Sequence, residues 1–254
     1  MFKKYDKLQK LNLWMALAHG VQFVLLMVLS SDFARTITTQ YLEFDEVNQT
    51  LVQATGDLFD VRLVFLVAGF SFLSMFFHIL IATVWFDSYK SGLKKGINKY
   101  RWFEYSLSAS LMMVVVGILT GIFDASTLLM MFGLTAVMNL LGWVMEVHNQ
   151  TTKDTNWLSY WIGCLAGILP WLVIVIYFAA STTLNGAQGP PTFVYFIWGS
   201  IFLFFNSFAL NMYLQYKGIG KWKDYLYGER AYIWLSLVAK SALVWQVYAG
   251  TLQP

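Results

Sequence analysis

Lys240 has the most chemistry to offer and the least obvious reason to be where it is. It stands within Leu235-Ser236-Leu237-Val238-Ala239-Lys240-Ser241-Ala242-Leu243, ten residues beyond Arg230. At ~1.5 Å per helical residue this is ~15 Å into an apolar segment. An ammonium at the middle of a bilayer costs ~2.5–3.5 kcal/mol on insertion scales, so something must compensate. Two accounts are open. The lysine is paired structurally with a carboxylate or a water-filled cavity, or its amine reacts with a carbonyl compound to form a Schiff base. A buried protonated Schiff base is itself a cation that desolvation would strip of its proton, so it too needs a carboxylate. Glu104 and Glu146 are the candidates, and by counting residues Lys240 lies deeper than either. Ser108 follows Glu104 by one helical turn and the apolar Met112 comes next on that face, giving a short polar strip. The other role open to Glu104 is an interfacial pair with Arg101. Glu146 borders a loop, where an ordinary role is expected. His19 and His78 fall ~12–13 Å in from the same side as each other, in the layer beside Lys240. One such histidine reads as a hydrogen-bonded core residue; two at matched depth read as a hydrated polar pocket able to hold a proton.

These residues need a scaffold, and composition says which. Of 254 residues, 58% are hydrophobic and 12% charged, against ~25% charged in a soluble domain. That excludes an ordinary water-soluble fold, a disordered chain and a nucleic-acid binder. The single Cys164 excludes an internal disulfide and any cysteine-based metal motif. Seven stretches are long and apolar enough to cross a bilayer: 11–31, 61–86, 102–123, 125–145, 157–180, 193–215 and 231–252. The first is too long for a signal peptide and lacks a small-residue cleavage site, so it is expected to remain as structure. Of the 17 Lys and Arg residues, 14 fall in the N-terminal tail and in loops that an alternating path places on one side. The N-terminus is therefore expected in the cytoplasm and the C-terminus outside. The one sizeable loop, 32–60, is rich in Thr, Val, Tyr and Phe around a turn-like centre at 45–49, which suggests a β-hairpin. The expectation is an all-α seven-transmembrane-helix bundle, one domain over residues 1–254, multi-pass in the cell membrane, with a hairpin in the first extracellular loop.

Pro170 is expected to kink the fifth span, and Trp171 beside it is better placed to wall a ligand than the tryptophans nearer the interfaces. A seven-helix bundle with one buried lysine in its last span suggests one aldehyde in particular, retinal. Taken together the residues resemble the heliorhodopsins, retinal proteins distant from the ion-pumping microbial rhodopsins. The resemblance spans essentially the whole chain. It rests on Arg101-Trp102-Phe103-Glu104-Tyr105-Ser106, Gly142-Trp143-Val144-Met145-Glu146, Asn211-Met212-Tyr213-Leu214-Gln215-Tyr216 and Ser236-Leu237-Val238-Ala239-Lys240-Ser241, and on the N-inside orientation. It implies all-trans retinal bound covalently to Lys240, Glu104 as counterion, and Ser236 one turn from the linkage. It implies His19 and His78 in a water-containing cavity on the cytoplasmic side. Ser108, Met112 and Trp171 complete the candidate binding residues. It further implies a homodimer in the lipid bilayer, with the hairpin covering the bundle.

Pumps resemble one another in carrying a second acid or polar donor eleven residues after the acceptor carboxylate, and an aspartate one turn before the lysine. Here those positions are Val115 and Ser236, so outward proton transport is disfavoured. The first functional expectation is a light sensor with a long photocycle, no net ion pumping and a cytoplasmic signalling partner; the basic loop 217–230 is a candidate docking face. The second is a light-gated proton channel or weak transporter. The third is a retinal-free transporter or receptor using Lys240 as an anion site. No metal-ligand cluster, nucleophile with its base or nucleotide loop points to an enzyme.

Overall fold

The computed structural model describes residues 2–184 and 189–253, without the side chains of residues 2–4. Among them are eight α-helices and one two-stranded antiparallel hairpin. In chain order these are α1 (Phe2–Leu29), β1 (Ala34–Asp45), β2 (Thr50–Arg62), α2 (Leu63–Ala82), α3 (Phe86–Lys94), α4 (Lys99–Leu119), α5 (Ala125–His148), α6 (Leu158–Thr183), α7 (Thr192–Lys217) and α8 (Tyr225–Val247). A π-helical turn, Tyr248–Leu252, extends α8.

Six helices, α1, α2 and α4 to α7, are long and apolar enough to cross a membrane. α8 falls outside that set because it carries Glu229, Arg230 and Lys240, yet it is as long as the others and packs beside α7, α1 and α2. Each of the seven expected stretches corresponds to one of these seven helices. Their outward faces are apolar, with Trp14, Val28, Leu129 and Leu203 each about two-thirds exposed or more. Lipid rather than water suits such a surface.

Several boundaries differ from expectation: α1 begins at Phe2 instead of residue 11 and α8 at Tyr225 instead of residue 231, and two others have a clear local cause. The second stretch ends at Ala82 instead of continuing to residue 86, and a separate short helix follows. That helix, α3, has Asp87 in its first turn and Lys94 in its last, which suits the helix dipole, and it buries Tyr89 and Leu93 while its lysines face outward. An amphipathic helix of nine residues cannot continue a span. The third stretch ends at Leu119 because Gly121 takes φ +91, a conformation that favours glycine.

The hairpin fixes one end of the bundle. Asp45 accepts from the backbone N–H groups of Val47 and Asn48 at 2.9 and 3.1 Å, closing the turn. The side chain and backbone N–H of Asn48 hold its carboxyl below the usual range. A register shift between Ile37 and Thr38 lets Ile37 bury in the core while Thr38 N donates to Phe123 O at 2.9 Å. Ser31 N donates to Leu252 O at 2.8 Å. The α4–α5 turn and the C-terminal end of α8 therefore share the hairpin end, and the N-terminal ends of α1, α4 and α8 share the other.

Around the ring α1, α2, α4, α5 and α6 pack in sequence. Between α6 and α7 a column of rings keeps the backbones apart: Trp157 on Tyr213, Trp171 on Phe202 and Phe205, Phe178 on Tyr195, with centroids 4.6–5.6 Å apart. That spacing leaves room for a cavity.

Candidate functional site

Lys240 is buried, and its ammonium uses three donors on three partners. Nζ lies 2.6 Å from Glu104 Oε1, 2.6 Å from Ser74 Oγ and 2.9 Å from Ser236 Oγ. Ser74 in turn donates to Glu104 Oε1 at 2.7 Å. The ring of Tyr105 stands 5.3 Å from Nζ, its hydroxyl donating to Tyr232 O. A lysine side chain leans toward the N-terminal end of its own helix. Here that end is the level of Glu104, and the bond to Ser236, one turn earlier, marks the direction. This lean closes the depth gap between Glu104 and Lys240 that residue counting leaves.

The other sequence-derived residues lie around this pair in different ways. His19 is fully buried, its ring stacked on His78 with centroids 5.8 Å apart, and neither of its nitrogens has a protein partner. His78 Nδ1 lies 2.7 Å from Asn12 Oδ1. Ser108 is buried but its hydroxyl bonds to nothing among the described residues, so the polar strip on α4 reaches Glu104 alone. Met112 walls a cavity of about 40 Å³ beside Lys240, together with Ala109, Met138, Phe205 and Phe208. Trp171 lines a larger cavity of about 140 Å³ between α5, α6 and α7. The two share Tyr105, Met138, Asn139, Phe205 and Phe208 as walls.

Glycines let those walls close up. A Cβ on Gly167 would stand 2.3 Å from Met138 Sδ, and one on Gly142 would stand 2.4 Å from the ring of Trp102. An amine at the end of a largely apolar, aromatic-walled space suits an elongated apolar aldehyde, with Asn139 and Ser236 as polar groups in its wall.

Arg101 does not pair with Glu104. It meets Glu146 at 2.5 Å and Glu229 directly, and it stacks on the rings of Trp102 and Tyr232. Glu146, expected to border a loop in an ordinary role, is buried. It also accepts from Asn98 N and Trp102 Nε1, both at 2.8 Å. Asn98 donates through Nδ2 to Glu229 Oε2. This second cluster joins α4, α5 and α8 at the end away from the hairpin. Sequence reasoning also missed Ser74, although Ser71, Ser74 and His78 recur at helical spacing on α2 and all are buried. For Glu229 no local signal separates it from the basic loop it follows.

The fold and site thus define a multi-pass membrane protein that encloses a lysine–carboxylate pair at the end of an apolar cavity. The heliorhodopsin family profile matches residues 8–252. The chain belongs to the heliorhodopsin family, whose members are retinal-binding, light-sensing membrane proteins and not known enzymes. No curated protein matches the chain.

Proposed function

We propose that this chain is a photoreceptor holding all-trans retinal covalently at Lys240, and that it signals rather than transports. The observation that carries this reading is the buried contact of 2.6 Å between Lys240 Nζ and Glu104 Oε1 at the end of the apolar cavity. Bound retinal supplies an aldehyde carbon open to attack by an amine, and a polyene that absorbs visible light and isomerises. Lys240 offers Nζ as the attachment atom, and Ser74 and Ser236 hold that atom in place. Glu104 balances a positive charge at Nζ and is the nearest carboxylate to accept its proton. The stacked His19 and His78 lie beside the pair and offer ring nitrogens where that proton could be held. Toward the hairpin, buried Val115, Val116, Ile118, Leu243, Val244 and Val247 surround the interior with apolar groups. Such a layer favours a proton retained inside the protein over one conducted across it, and hence a long photocycle with a conformational output.

The remaining parts of the reading follow from the resemblance and the charge distribution. The whole chain acts as one domain, with its N-terminus in the cytoplasm and its C-terminus outside. A cytoplasmic partner reads the state of the loop end, and a second copy of the chain completes a homodimer. The hairpin carries outward-facing Leu42, Phe44, Val47 and Leu51, which suits contact with another copy better than contact with water.

The test is to add all-trans retinal to the expressed chain. A visible band that Lys240→Ala abolishes supports the reading. Glu104→Gln should move the band and remove its shift on acidification. No band with the native chain overturns the reading, and sustained photocurrents under voltage clamp overturn the choice of sensor over channel.

A further inference from the structure

A third, smaller cavity separates the two charged clusters. It measures about 20 Å³, room for one water. Glu104 and His78 contribute to its wall from the Lys240 side, Arg101, Asn98 and Glu229 from the other cluster, and Asn12 and Tyr89 complete its polar lining. That lining is under-satisfied. The Tyr89 hydroxyl and Arg101 Nε are buried without a hydrogen-bond partner, Asn12 standing near the hydroxyl without closing a bond. Each orphan of this kind costs ~1–3 kcal/mol. A water with two to four polar neighbours is the usual remedy in a polar cavity of this size. Burial, and after it the negative charge of Glu229, push the Tyr89 phenol well above its ordinary range. Tyr89 is therefore a hydrogen-bond donor that keeps its proton.

Charge counting shows what such a water would connect. Among the described residues the buried charged side chains are Arg101, Lys240, Glu104, Glu146 and Glu229. Lys240 and Glu104 cancel. Arg101 faces two carboxylates, so its cluster carries one surplus negative charge in the bundle interior.

We propose that one water, held in this cavity by Tyr89 and Arg101, relays a proton from the Lys240–Glu104 pair to the Arg101–Glu146–Glu229 cluster. The inference rests on the reading of Lys240 given above. Once Glu104 has taken the proton of Nζ, the water accepts that proton from the Glu104 carboxyl and passes one of its own to the Glu229 carboxylate. Glu104 regains its charge, Glu229 becomes neutral, and Tyr89 and Arg101 keep their protons. A neutral Glu229 loosens its hold on Arg101, and with it the joint between α4 and α8 at the loop end. Tyr89 is a positioning residue in this scheme, and Glu229 is the terminal acceptor.

The experiment is flash excitation of the full chain with retinal, followed in the visible and in the carboxyl region of the infrared, for native, Tyr89→Phe and Glu229→Gln proteins. The native chain should show a light-induced carboxyl C=O band that Glu229→Gln removes. Tyr89→Phe should keep the dark absorption band but slow the rise of that carboxyl band about tenfold, the scale expected for losing one hydrogen bond. A native-like carboxyl band in Glu229→Gln together with native rates in Tyr89→Phe overturns the relay. Should Glu229→Gln fail to fold, Tyr89→Phe decides alone, because it removes one oxygen that bonds to no protein atom. A native chain with no visible band refutes the retinal reading instead, which keeps the two failures apart.

Discussion

Replacing Glu104 by glutamine removes the negative half of the interaction that makes Lys240 tolerable in the bundle interior. The pair is almost wholly buried, with side chains 3% and 6% exposed and a separation of 2.6 Å. At ~3 Å and an effective dielectric of ~20, unit charges attract by ~6 kcal/mol. Ser74 and Ser236 already bond Nζ in the native chain and keep those bonds in the variant, so they offset none of this loss. Glu104→Gln should therefore cost ~3–5 kcal/mol, the range found when one partner of a buried pair is removed. Lys240→Met strands Glu104 instead and should cost a similar amount. The double variant strands nothing, so its loss should fall well short of the sum. The assay is reversible unfolding of the retinal-free protein in lipid nanodiscs, read as a double-mutant cycle. A coupling of ~2–4 kcal/mol is expected. Additivity within ~0.5 kcal/mol would show that the two residues do not form a closed electrostatic unit.

Two further perturbations probe the scaffold. Asp124 caps α5, accepting from Thr127 N and Oγ1, both at 2.8 Å, and the backbone bond from Thr127 leads in holding its carboxyl below the usual range. Asp124→Ala should cost ~1 kcal/mol at neutral pH. Because the folded-state value is depressed, this stability is present above the ordinary aspartate value of ~3.9 and fades as pH falls through the lower folded one. The melting gap between native and variant should shrink on acidification to pH ~3, and a constant gap refutes the capping role. Gly142→Ala drives a methyl to 2.4 Å from the Trp102 ring, which itself donates to Glu146, whereas Gly163→Ala meets Met138 O at 3.5 Å and Leu141 Cβ at 3.6 Å, both ordinary contacts. The first should destabilise by ~1–3 kcal/mol and shift tryptophan fluorescence, the second should do neither; equal effects would contradict the packing described.

Most of the architecture is legible in the sequence because a membrane simplifies the code. Apolar length locates six of the seven long helices outright, and α8 only once its charges are tolerated. Turn residues at 45–49 locate the hairpin, whose strands run further than the residues that announce them, Ala34–Asp45 and Thr50–Arg62. α3 escapes such reading, since nine amphipathic residues between two spans look like a basic loop until Tyr89 and Leu93 find a buried face. The candidate site is legible to the extent that charge is costly in lipid. Lys240 and Glu104 stand out because each interrupts an apolar stretch. Ser74 does not, because one hydroxyl in an apolar helix can bond its own backbone and need not signal anything. Glu146 and Glu229 escape for a different reason. Both lie near helix ends where a carboxylate is ordinary, and only the three-dimensional meeting of α4, α5 and α8 around Arg101 removes them from water.

α8 reads least like a membrane span, and it carries charge into both clusters. Glu229 faces Arg101 and Lys240 faces Glu104, eleven residues apart on one helix, each against a partner on α4, where Arg101 and Glu104 are only three residues apart. Each charge is affordable only while its partner is in place, because an isolated ion in the interior costs several kcal/mol. α4 and α8 are thus tied at two levels by pairs that stand or fall on single protons. Neutralising Glu104 or Glu229 releases one tie and leaves the other. A proton shifted between the levels would change which part of the α4–α8 joint is held, without any charge leaving the protein. That is how a bundle whose core toward the hairpin is built from Val115, Val116, Leu243 and Val244 could still turn an event at Lys240 into a change at its loop end.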